Sequence, residues 1–116
     1  MVFIMGELED VIGQIEVQNQ QLQSIMLQKQ SLMIQNREIE KAIEELQKVE
    51  NQETFKSVGP ILVKTDKEVI NKELDDMREE IELKIRTLDK QEKRVKDKLK
   101  ENQEKFQSLV PRGEGG

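Results

Sequence analysis

The sequence predicts a mainly α-helical chain, folded as a long antiparallel coiled-coil hairpin with a small β-hairpin at its bend. Three observations predict this fold. The first arm of the chain repeats apolar residues with a heptad period, which is typical of a coiled coil. The second arm has a helical pattern and nearly the same length, and a stretch rich in β-branched residues, Thr54 to Asp66, separates the two arms.

The first predicted helix covers residues 6–50. With Leu8 at heptad position a, nine of the twelve a and d positions are apolar. The twelve are Leu8, Val11, Ile15, Gln18, Leu22, Ile25, Lys29, Leu32, Asn36, Ile39, Ile43 and Leu46. The three polar members are interpreted as register-fixing residues, with a functional polar groove as the alternative. Ile12, Met26 and Met33 lie beside this seam and indicate either a broader helix contact or an adaptable binding surface.

The connector is predicted to form a β-hairpin over residues 54–64. Its apolar residues flank a Gly59-Pro60 break, and they are Phe55, Val58, Ile61, Leu62 and Val63. An isolated two-stranded hairpin is marginal in water, and no other stretch of the sequence has the pattern of a strand. We therefore expect the hairpin to be an assembly element that other subunits complete.

The second predicted helix covers residues 66–107, with Thr65 as its N-cap and Glu68 completing a capping box. Its predicted seam is Ile70, Leu74, Met77, Ile81, Ile85, Leu88, Val95, Leu99 and Phe106. Several of these residues recur every eleven positions, which predicts a nearly straight helix. Residues 108–116 are expected to be a flexible tail. Within it, Leu109 to Gly113 resembles a thrombin recognition linker, so a native and a vector-derived origin both stay open.

Composition argues against most kinds of chemistry. The 116 residues include no Cys, His, Trp or Tyr, so nucleophilic catalysis and soft-metal binding are not expected, and no cofactor is predicted. The carboxylate runs sit beside Lys and Arg on a helix, which favours a solvated, ion-paired face over a metal site. The net charge of −5 includes an acidic first arm and makes nucleic acid a poor partner. No apolar run is long enough for a membrane span, so we expect a soluble, cytoplasmic protein. We do not expect it to be an enzyme.

Apolar residues return where the two chain ends are predicted to meet. They are Val2, Phe3, Ile4 and Met5 at the start of the chain and Phe106, Leu109 and Val110 near its end. Exposed apolar patches mark interaction sites, so this tip is a candidate binding surface. The alternative is a frayed terminus with incidental apolar residues.

Several segments resemble the beta-type subunits of prefoldin, of the archaeal kind. They are Ala42 to Leu46, Phe55 to Val63, Glu68-Val69 leading to Leu74, and Leu88 to Glu92. The resemblance implies a hexamer of two alpha-type and four beta-type subunits, joined by a double β-barrel made from their hairpins. It also implies that the free tips bind unfolded proteins and pass them to a group II chaperonin without ATP. A purely structural coiled coil or a filament-forming scaffold is the alternative.

Overall fold

The computed structural model describes the backbone of residues 2–50 and 53–110, and the side chains of 6–50 and 53–110. Helix α1 covers Val2–Gln47, strand β1 covers Glu53–Val58, strand β2 covers Ile61–Asp66, and helix α2 covers Lys67–Leu109. The element order and the fold class are as predicted. The bounds differ, since α1 begins and ends earlier than residues 6–50, and the predicted tail is helical up to Leu109.

The two strands form an antiparallel hairpin with a two-residue loop. Val58 pairs with Ile61 next to the loop, and the register runs outward to Glu53 opposite Asp66. Gly59 has a φ of 57°, a left-handed conformation that glycine adopts without the steric cost of a Cβ atom. Because proline holds φ near −65°, the signs of φ at Gly59 and Pro60 match a type II′ turn, which suits the twist of paired strands.

The start of α2 corrects the predicted capping box. Thr65 belongs to β2, where it pairs with Thr54, and its carbonyl oxygen accepts a 3.5 Å hydrogen bond from the Thr54 hydroxyl. Asp66 is the last strand residue and directly precedes Lys67, the first residue of α2. Strand pairing therefore includes Thr65, the predicted helix cap. Asp66, and not Thr65, directly precedes the helix.

Two compact units make up the chain. One combines Met1–Gln28 with Thr87–Gly116, and we call it the terminal unit. In its described part, α1 and α2 run antiparallel, because Val11 shares a groove with Leu109 while Ile25 shares another with Val95. Its buried apolar residues are Val11, Ile25 and Leu88.

The other unit is Lys29–Arg86, which we call the hairpin unit because it contains both strands. The second half of α1 packs there against the first half of α2, and Ile39, Leu46 and Ile81 are buried. Leu46 and Leu74 line one groove together with residues of β1.

The heptad prediction for α1 agrees with the burial of its side chains. All twelve predicted a and d residues are buried or half-buried, whereas nearly every other described side chain of α1 is exposed. The polar members Gln18, Lys29 and Asn36 follow the same pattern. The polar a and d residues therefore face the partner helix just as the apolar ones do, because a regular helix directs every position of one stripe to the same side.

The seam of α2 differs from its prediction. Met77 is 49% exposed, and Arg78 takes its place facing the partner helix. Apart from Glu73 and Asp75, which are also half-buried, the buried and half-buried residues of α2 keep a heptad spacing from residue 71 onward, so the eleven-residue period is wrong as a description of this seam. These residues are Asn71, Leu74, Arg78, Ile81, Ile85, Leu88, Glu92, Val95, Leu99, Asn102, Phe106 and Leu109.

Candidate subunit interface and terminal end

The hairpin carries apolar side chains that the chain itself leaves uncovered. Phe55 is 61% exposed, Leu62 is 71% exposed and Val63 is 42% exposed. Val58 and Ile61 are exposed as well, so all five residues predicted for a subunit interface are open to solvent in the single chain. Contiguous exposed apolar surface is costly in water and marks an interaction site.

The five residues do not share one face of the hairpin. Side chains alternate along a strand, and directly opposed residues point to the same side. The register therefore places Val58, Ile61 and Val63 on one face, which we call face A. Phe55 and Leu62 lie on the opposite face, face B. Only one of these two faces can point into the interior of a barrel. The sequence pattern of five apolar residues did not reveal this division into two faces.

Charge distinguishes the two faces. Face B also carries Glu53, Lys64 and Asp66, and Lys64 forms a 3.1 Å ion pair with Glu53 across the strands. On face A the only charged residue is Lys56, and its ammonium lies 2.8 Å from the Glu73 carboxylate of α2. Face A is thus the more apolar of the two and the better suited to be covered completely.

The hairpin is also attached to the helices of its own unit. Besides the Lys56–Glu73 ion pair, the Lys67 ammonium donates a 3.0 Å hydrogen bond to the backbone carbonyl of Val49. A groove of about 630 Å³ separates β1 from the helix pair, and Phe55, Leu46 and Leu74 contribute to its lining. Exposed ion pairs contribute at most about 1 kcal/mol each, so these links orient the hairpin more than they stabilise it.

At the terminal end, Phe106 and Leu109 belong to the last turns of α2 and are half-buried. Leu109 lines a groove of about 380 Å³ with Val11 and Glu7 of α1. The Val110 N–H donates a 3.0 Å hydrogen bond to the carbonyl of Phe106, which holds this turn closed. The predicted tip residues Val2, Phe3, Ile4 and Met5 are in helix α1, but their side chains lie outside the described residues.

The described part of the chain contains no group of acidic, His or Cys side chains that could hold a metal ion. Among the same residues, no helix is both long and apolar enough to cross a membrane. The polar side chains on the outer faces of the helices form local pairs instead, such as Lys84 with Glu80 at 3.4 Å.

The sequence and the fold are similar to those of known proteins. The family model described as "Prefoldin subunit" matches residues 9–112, which is most of the chain. The chain belongs to the prefoldin family. A prefoldin subunit beta from Archaeoglobus fulgidus is 39% identical over 91% of this chain and 96% of the relative. One from Pyrococcus furiosus is 35% identical over 90% of each.

The crystal structure of the prefoldin beta subunit from Thermococcus strain KS-1 has the same fold. It superposes with a TM-score of 0.83 at 34% identity, and the match covers 90% of this chain and 94% of that one. The prefoldin family is one of chaperones and not of enzymes. Since the described part of this chain supplies only two strands, a β-barrel that includes them is formed between subunits.

Proposed function

We propose that this chain is a beta-type subunit of a hexameric prefoldin, a chaperone that holds unfolded proteins without using ATP. The observation that carries the proposal is the two-stranded hairpin whose apolar side chains the described chain leaves exposed. Burying a large apolar side chain contributes about 1.5–3 kcal/mol. Covering five of them with neighbouring strands is therefore a sufficient reason for the chain to assemble with other subunits. The proposed site of this assembly is the cytoplasm.

In this assembly, face A of the hairpin points into the barrel. Val58, Ile61 and Val63 then form the contribution of this subunit to the barrel interior, and Lys56 remains paired with Glu73 at the end nearer the helices. Face B, with Phe55 and Leu62, packs on the outside of the barrel near the helix pair. Support comes from the charge on face B, because three ionisable side chains inside a barrel would be costly to bury.

The terminal unit supplies the client-binding end. Phe106 and Leu109 are half-buried apolar residues there, and the apolar start of α1 belongs to the same unit. Several weak apolar contacts, made by several subunits at once, add up to firm binding by multivalency. The partners of the assembly are an alpha-type subunit and further copies of this chain, and a group II chaperonin receives the client.

Shortening the chain tests the client-binding role. A variant that lacks residues 1–5 and everything from Phe106 onward keeps the hairpin unit intact, so we expect it to assemble with an alpha-type partner. Its suppression of the aggregation of a chemically unfolded client, followed by light scattering, should fall strongly. The matched control lacks only residues 111–116 and keeps Phe106 and Leu109. Equal suppression by the two assembled variants would contradict the assignment.

A self-assembling scaffold is the second candidate function. The exposed hairpin also favours this reading, because its apolar faces could pair with further copies of the same chain. Analytical ultracentrifugation of the chain alone, and then mixed with an alpha-type subunit, separates the two. A scaffold forms large species without the partner and leaves client aggregation unchanged, whereas the holding chaperone reaches hexamer mass only in the mixture.

A further inference from the structure

Two amide side chains are buried in the seam of the terminal unit. Gln18 is 8% exposed and Asn102 is 5% exposed, which makes them as buried as the apolar residues of the seam. The Oε1 atom of Gln18 is shielded from solvent and accepts no hydrogen bond from any described residue. A buried polar atom without a partner destabilises the structure that contains it, so this position has a cost that an apolar residue would not have.

The helix register places the two amides opposite each other. Gln18 lies seven residues after Val11 and seven before Ile25 in α1. Asn102 lies seven residues before Leu109 and seven after Val95 in α2. Val11 shares a groove with Leu109, and Ile25 shares one with Val95, so the layer halfway between these two pairs contains Gln18 and Asn102. We call it the amide layer.

The seam is weakly packed between the amide layer and the chain ends. Among the described side chains of this region, only Val11 is buried, while Leu8, Ile15 and Phe106 are half-buried. Gly13 lies inside α1, where glycine lowers helix stability by about 1 kcal/mol relative to alanine. A groove of about 590 Å³ opens along α1 here, and Gly13 and Gln18 are among the residues that line it.

We propose that the amide layer is a built-in weak point at which the terminal end of the helix pair opens. This inference rests on the proposed function, since the opened end would expose Val11 and Ile15 to an unfolded polypeptide. Separation of the two helices lets water hydrate both amides, which offsets part of the apolar contact that is lost. The next layer inward, with Ile25 and Val95, is apolar and limits how far the opening extends.

Hydrogen exchange on the full chain in its assembly tests this proposal. The variant Gln18→Leu/Asn102→Leu replaces both amides by apolar side chains of similar size, which removes the cost of burying them. The backbone amides of residues 7–17 and 103–109 should then exchange about tenfold to a hundredfold more slowly than in the wild type. The control is Asn19→Leu/Gln103→Leu, which makes the same two chemical changes at the exposed neighbouring positions.

The hydrogen-exchange and aggregation results together support or overturn the proposed opening. Slower exchange in the amide-layer variant alone, with weaker suppression of client aggregation, supports the proposal. Exchange rates equal to those of the control overturn it, and so does slower exchange without any change in client suppression. Hydrogen exchange is measured without a client, so it still reports on opening if the wild-type assembly fails to suppress aggregation. Failure of the wild-type assembly to suppress aggregation would contradict the proposed function and not the proposed opening.

Discussion

Placing a charge on face A tests whether the hairpin builds the assembly. In Val63→Asp, a carboxylate replaces a side chain that is 42% exposed in the single chain. Covering that remaining surface contributes about 1 kcal/mol, which the variant loses. Enclosing the carboxylate in a barrel costs several kcal/mol more. A total of about 4 kcal/mol lowers the association constant roughly a thousandfold, so we expect the variant to remain unassembled.

The assay is native mass spectrometry of the variant mixed with an alpha-type subunit, at a concentration where the wild type assembles fully. Circular dichroism should show the wild-type helix content, because the new carboxylate can remain hydrated in the free chain. Ser57→Asp is the control, since it places the same charge on face B. Val63→Asp at full assembled mass would refute the view that face A is enclosed, and failure of both variants would refute the distinction between the faces.

Three further predictions concern the backbone and the seam. Gly59→Ala should weaken assembly by about tenfold in a sedimentation titration, because a φ of 57° costs an alanine roughly 1–2 kcal/mol. Gly13→Ala should stabilise the chain by about 0.5–1 kcal/mol in urea unfolding, since the added Cβ meets no atom within 4 Å. In the same experiment, Ile81→Ala should cost about 2–5 kcal/mol and Met77→Ala less than about 0.5 kcal/mol, because only Ile81 is buried. A larger loss from Met77→Ala would contradict the assigned seam of α2.

The seam of α1 could be predicted from the sequence because its apolar residues recur often enough to fix the phase of the heptad. Once Leu8 is set at position a, the polar residues Gln18 and Lys29 follow by position alone. In α2 the seam itself contains Arg78 and Glu92, so a search for apolar residues selects Met77 and loses the phase. Nothing in a single helix says which partner side chains it faces, and the phase of α2 is determined by packing against α1.

The structure of the hairpin could also be predicted only in part from the sequence. Its existence and its need for a partner could be argued from Phe55, Val58 and the Gly59-Pro60 break, since β-branched and turn residues act locally. The division into two faces depends on the register, which the two-residue loop sets. A loop one residue longer would move a whole strand to the other face. The sequence therefore predicts which residues form the interface more readily than which way they point.

The two incomplete parts of this molecule differ in what can complete them. The hairpin exposes side chains such as Leu62 that only another apolar surface can cover, so its free energy favours a permanent partner. The amide layer buries Gln18 and Asn102, and separation of the helices hydrates both amides, so this layer lowers the free-energy cost of transient opening. Leucine in the amide layer would strengthen the helix pair but remove that opening. The proposed role of Gln18 and Asn102 is therefore to let the binding end open, at some cost in stability.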